Sequence, residues 1–170
     1  MATLIQTLQN ALVSKDPLLA PETKRIILKE VLQAYVLDYL YNHPSYRRLN
    51  FYGGTCLHTV YGLNRLSEDL DFDNRAGLDL DLLANDLAQY FHNSFGYGDA
   101  SAKVQQGEGG ILRVTIKFPV LNALGLSPHP SEASTSSWKS ASINRWQSSN
   151  ARRCSSMGAA WLLHIFRWKP

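Results

Sequence analysis

The spacing of apolar and polar positions divides residues 1–130 into helices and strands. Leu4, Leu8, Ala11 and Leu12 recur at helical spacing and predict a short amphipathic helix over 3–14, ended before Asp16-Pro17. Pro21 suits a first helical turn. From there Ile27, Val31, Leu32, Tyr35, Val36, Tyr39 and Leu40 continue the helical repeat as far as Asn42-His43-Pro44, where the proline stops it. A stripe that broad is suited to packing on a sheet. "LNFYGG" then reads as a short strand running into glycines, and "TCLHTVYGL" as a compact helix with Leu57, Val60 and Tyr61 on one side and Gly62 near its end.

In "DLDFD", Leu70 and Phe72 alternate with acids, the period-two mark of a strand. Leu80, Leu83, Leu87, Tyr90 and Phe91 restore the helical period, with Asp79 or Asp81 as the N-cap. "SAKVQQGEGGILRVTIKFPV" reads as a hairpin whose second strand alternates Leu112, Val114, Ile116 and Phe118 with Arg113, Thr115 and Lys117. The predicted class is α/β (α+β), a small mixed sheet flanked by helices.

Beyond Pro130 neither period is visible. "EASTSSWKSASINRWQSSNARRCSSMG" combines Ser, Arg and Trp without a core-building pattern, and only "AAWLLHIFRW" has helical character. Charge divides at the same place. Residues 1–119 hold eleven Lys and Arg against thirteen Asp and Glu, a net −2, whereas residues 120–170 hold six against one, a net +5. All four tryptophans (138, 146, 161 and 168) lie in the second part. The expected organisation is therefore a domain over 1–130 and an atypical Ser/Arg/Trp-rich tail over 131–170 that does not share its fold.

Composition adds limits. At 170 residues with 45% hydrophobic and 18% charged content, the chain suits one compact domain with a core. It shows no basic leader joined to an apolar block, and no apolar run approaches the ~18 residues of a membrane span, so the expectation is a cytoplasmic protein with no membrane partner. Cys56 and Cys154 fit neither a disulfide framework nor a zinc site.

The chemistry concentrates in "NFYGGTCLHTVYGLNRLSEDLDFDN", residues 50–74. On an extended strand, residues i and i+2 share a face, so Asp69 and Asp71 present paired carboxylates while Leu70 anchors the strand. Such a pair suits a hard divalent cation, Mg²⁺ above all. Asp73 follows on the same face as an outer candidate. Gly53 and Gly54 turn a strand into a helix and leave bare N–H groups at its N-terminus, where an anion is favoured, and Thr55 adds a hydroxyl. If the two strands are neighbours, the anion and metal sites adjoin, as needed to hold a nucleoside triphosphate. A calcium loop beginning at Asp69 is disfavoured, because its sixth and twelfth positions are Asn74 and Leu80 in place of Gly and Glu. "GEGG" at 107–110 has no helix after it and reads as a hairpin turn.

"GGTCLHTVYGLNRLSEDLDFD" resembles the first signature of the AbiEii/AbiGii nucleotidyltransferase toxins, a branch of the polymerase-β-like nucleotidyltransferase superfamily. That resemblance implies a mixed-sheet fold and transfer of a nucleoside monophosphate from an NTP to an acceptor, RNA such as tRNA or a protein. It also implies Mg²⁺ or Mn²⁺, a cognate antitoxin and a role in abortive infection or phage defence. Gly53, Gly54 and Thr55 would hold the triphosphate, with Arg65 and Ser67 positioning phosphate or the metal strand. Asp69 and Asp71 would hold the metal and be the catalytic acids. Arg47 and Arg48 would either reach acceptor phosphates or be solvated surface.

The family pattern includes a third carboxylate on a strand after "SPHPSE". None is expected here, since Ile111 to Phe118 has no acid and Glu132 has no strand pattern around it. The C-terminal part of the fold is thus expected to be missing or aberrant, as in a chain truncated or frameshifted after about residue 131. Three functions follow as alternatives: an active transferase, an inactive remnant that binds nucleotide or antitoxin, and a protein whose basic tail binds nucleic acid.

Overall fold

The structure is a computed structural model that describes residues 3–15, 18–64, 69–106, 111–129 and 132–141, the last seven as backbone. Helix α1 (Leu4–Val13) opens on a capping box in which Thr3 and Gln6 each accept from the other's backbone N–H. Its buried residues Leu4 and Leu8 join the core beside α2 (Pro21–Asn42). Helix α2 ends as the sequence predicts: His43 is extended, as the residue before a proline must be. Its core stripe is rotated from the predicted one. Leu28, Leu32, Val36, Leu37 and Leu40 are buried, while Ile27, Val31, Tyr35 and Tyr39 flank them half-exposed. These branched and aromatic residues recur at i, i+4 along one flank of the buried row and drew the apparent stripe toward that side.

A 3₁₀ turn (Tyr46–Arg48) leads into strand β1 (Asn50–Tyr52), which passes directly into α3 (Gly53–Tyr61). Gly62 ends α3 in the left-handed conformation, with Gly62 N–H bonded to His58 and Leu63 N–H to Leu57. Strand β2 (Asp69–Asp73) alternates as predicted, with Leu70 and Phe72 buried and the acids half-exposed. Asp79, rather than Asp81, caps α4 (Leu80–Phe95), accepting from the N–H groups of Asp81 and Leu82. Strands β3 (Ser101–Gln106) and β4 (Ile111–Phe118) pair antiparallel as the predicted hairpin.

The element that sequence reasoning missed is β5 (Ser134–Ala141). It is not appended to the fold but inserted into it: the five-stranded sheet runs β1-β2-β5-β4-β3, with β5 parallel to β2 and antiparallel to β4. The expectation that the fold stops before residue 131, leaving the sheet without its next strand, is corrected here. The physical reason is legible in the register. Ser136, Trp138 and Ser140 align with the core residues Ile116, Val114 and Leu112, so only one of the three is apolar. With serine at two of those three positions the segment shows no period-two alternation of apolar residues, the signal by which a strand is recognised in sequence.

One face of the sheet carries the core. Leu70, Phe72, Val114, Ile116 and Phe118 meet Leu83, Leu87 and Phe91 of α4 and the buried row of α2. Phe91 and Phe118 pack edge to face with centroids 4.7 Å apart. The opposite face holds the acids of β2.

Candidate active site

β1 and β2 are antiparallel neighbours, with Tyr52 opposite Asp71 and Asn50 opposite Asp73. The turn from β1 into α3 therefore lies beside the carboxylates of β2, the neighbouring arrangement that the two motifs require. Gly53 makes that turn at φ +80°, and a Cβ built on it would fall 2.2 Å from Asp71 Oδ2. Both the conformation and the space demand glycine. Its missing side chain lets the Asp71 carboxylate lie against the backbone at the start of α3.

No side chain caps α3: Tyr52 is the N-cap residue and accepts no capping hydrogen bond. The first-turn N–H groups, where Gly54 and Thr55 stand, thus present the positive end of a nine-residue helix next to a carboxylate strand. Thr55 is buried, and its hydroxyl donates to the Asp69 carbonyl at 2.5 Å. It ties α3 to β2 and so fixes the height of the acid pair against the helix start, a positioning contact that the spacing of the sequence does not reveal.

Asp69 and Asp71 are half-buried on the same face of β2. Asp73 accepts from Arg75 Nε at 2.6 Å through Oδ2, while its Oδ1 is buried without a hydrogen-bond partner among the described residues. The strand is closed off by Asn74, which is buried, donates to the Leu78 carbonyl at 2.9 Å and accepts from the Leu78 N–H at 2.8 Å. The field of these acids is felt at Tyr52: burial raises its phenol above the ordinary value, and the charges of Asp71 and Asp73 raise it further.

The chemistry of the Asp69 and Asp71 pair suits a hard divalent cation: two carboxylates alternate on one strand face, and Gly53 leaves room for that of Asp71. Among the described residues no three His, Cys, Asp or Glu side chains are grouped to hold an ion by themselves, so substrate phosphate and water would complete the coordination.

Arg65 and Ser67 lie outside the described residues, as do residues 107–110, where the sequence predicts a hairpin turn. Arg47 and Arg48 are exposed on the 3₁₀ turn preceding β1. Glu132 stands away from the acid pair. It precedes β5, in which Ser137 is the residue aligned with Asp69, and it accepts from Arg25 Nη1 at 2.7 Å and from the Ser127 hydroxyl. The strand that follows, "STSSWKSA", contains no acid, and Lys139 occupies the register position beside Asp71.

The family model described as the nucleotidyl transferase AbiEii toxin of type IV toxin–antitoxin systems matches residues 36–129. The chain belongs to the AbiEii nucleotidyltransferase family. Membership makes it, at family level, a toxin nucleotidyltransferase whose counterparts are a nucleoside triphosphate and a cognate antitoxin. The match contains the whole β1–α3–β2 unit and ends before β5. No curated protein and no solved structure matches the chain. Among the described residues no helix is long and apolar enough to cross a membrane.

Proposed function

We propose that this AbiEii chain transfers a nucleoside monophosphate from an NTP to an acceptor hydroxyl, on RNA such as tRNA or on a protein. The observation that carries the reading is the contact of the Asp71 carboxylate with Gly53 at the uncapped start of α3. It joins a phosphate cradle and an acid pair in one site. The N–H groups of Gly53, Gly54 and Thr55 receive the triphosphate tail, and Asp69 and Asp71 hold Mg²⁺ or Mn²⁺. When bound, the cation neutralises phosphate charge and withdraws electrons from the α-phosphorus. The acceptor oxygen bonds to that phosphorus as the bond to the β-phosphate bridging oxygen breaks; pyrophosphate departs, and the hydroxyl proton passes to solvent. Arg65 and Ser67 complete the reading as residues that position phosphate or β2. In the cell the activity is that of a cytoplasmic toxin held by its antitoxin, serving phage defence by abortive infection.

Incorporation of label from an α-phosphate-labelled NTP into RNA or protein tests the reading. It is expected with the intact chain and Mg²⁺ and expected to vanish in Asp69→Ala. A second reading rests on β5: with Lys139 rather than an acid beside Asp71, the chain binds Mg-NTP and antitoxin without transferring. That reading gains if Mg-NTP binds and no label moves. Of the tail expected over 131–170, residues 142–170 lie outside the described residues.

A further inference from the structure

The sheet face that carries Asp69 and Asp71 continues outward across β4 and β3. On these strands the core face takes Val114, Ile116 and Phe118, while Lys103, Arg113 and Lys117 are exposed on the other side. Register arranges the three cations regularly: Ser101 pairs with Lys117, Lys103 with Thr115 and Gln105 with Arg113, so each exposed cross-strand pair holds one positive charge. The exposed positions of these pairs carry no acid. Among the described residues none of the three cations forms an ion pair.

The rows lead to the acid pair. Asp71 aligns through β5 with Arg113, and Asp69 aligns through β5 with Thr115 and then Lys103. At ~4.8 Å between strands, Arg113 stands roughly 10 Å from Asp71 across the sheet. Arg113 and Lys117, four positions apart, span ~13 Å along β4.

We propose that this outward face of β3 and β4 is the track on which an RNA acceptor lies, its phosphates on Lys103, Arg113 and Lys117 and its reacting end at the acid pair. The proposal rests on the nucleotidyl-transfer reading and adds the surface that receives its RNA acceptor. Three regularly spaced cations with polar neighbours suit a chain of evenly spaced phosphates, and the continuity of the rows with the acids gives that chain a direction.

The test uses the full chain and a fluorescently labelled unstructured RNA oligonucleotide and a tRNA, titrated over a salt series in EDTA, with Mg-NTP binding measured separately. In Lys103→Gln/Arg113→Gln/Lys117→Gln, RNA affinity is expected to fall at least tenfold. The slope of log affinity against log salt is expected to shrink by roughly 2, about 0.7 for each lost phosphate contact. Mg-NTP binding should be unchanged, which also reports that the variant folds. Arg47→Gln/Arg48→Gln should leave RNA binding within about twofold. Unchanged RNA affinity in the triple variant overturns the proposal, as does an equal loss in the Arg47/Arg48 variant or a loss of antitoxin binding alone. Failure of Mg-NTP binding in the parent chain would instead strike the active-site reading, because the RNA titration contains neither metal nor nucleotide.

Discussion

The carboxylate of Asp71 lies where a side chain on Gly53 would begin, with Asp71 Oδ2 2.2 Å from the position of a Cβ. Gly53→Ala therefore forces the carboxylate away from the start of α3 and strains a backbone at φ +80°. Gly62 supplies the control, since it has φ +68° but nothing within 4 Å of its Cβ position. Left-handed strain alone costs about 1–2 kcal/mol. Thermal unfolding should show Gly62→Ala lowered by roughly 2–8 °C with nucleotide binding intact. Gly53→Ala should be at least as destabilised and lose Mg-NTP binding by 100-fold or more. Equal nucleotide binding in the two variants would contradict the contact's role.

Thr55 acts through β2. Its buried hydroxyl donates to the Asp69 carbonyl, and Thr55→Val keeps the shape while leaving that oxygen without its donor. The expected cost is about 1–3 kcal/mol. Label transfer should fall with it, because the acid pair is no longer held at the helix start. Thr55→Ser should restore both stability and transfer; a serine variant as poor as the valine one would show that the methyl packing matters instead.

Glu132 links the chain before β5 to α2. The Ser127 hydroxyl and the Arg25 guanidinium hold its carboxyl below the ordinary glutamate value of 4.5. A depressed folded-state value means that the contribution to stability is fully present above the unfolded value and is lost as pH falls through the folded one. The unfolding temperatures of the parent and Glu132→Gln should thus differ at neutral pH and converge as pH falls below the ordinary glutamate range and through the depressed folded-state value. Label transfer in Glu132→Gln should match the parent, since this glutamate is committed to Arg25 and Ser127 rather than to the acid pair.

The placement of β5 between β2 and β4 gives residues 134–141 a structural duty. A chain ended after Ala133 exposes two inner strand edges and should lose cooperative unfolding or aggregate. One ended after Ala141 keeps every described strand and should retain a single transition in circular dichroism. If both shortened chains unfold alike, β5 is not required for the domain.

Most of the fold was legible because period and punctuation agree: Pro21 and Pro44 bracket α2, Asp79 opens α4, and Leu70 and Phe72 mark β2. The neighbouring of glycine turn and acid strand was legible as a condition, since two strands joined by one short helix are readily adjacent. Three things were not. In "STSSWKSA" the positions aligned with Ile116, Val114 and Leu112 are Ser, Trp and Ser, so hydropathy marks no strand there and only the pairing with β2 and β4 reveals it. The Thr55 bond to Asp69 joins a side chain to a main-chain oxygen fourteen residues away, which no sequence spacing encodes. The outward cations of β3 and β4 gain meaning only from cross-strand register.

The most direct test of a single site built from the glycine turn and the acid pair is NTP binding by isothermal titration, with Mg²⁺ and with EDTA. The intact chain should bind only with Mg²⁺, and Gly53→Ala and Asp71→Ala should each abolish binding while remaining folded by circular dichroism. Binding of equal strength in all three proteins, or binding indifferent to Mg²⁺, would contradict it.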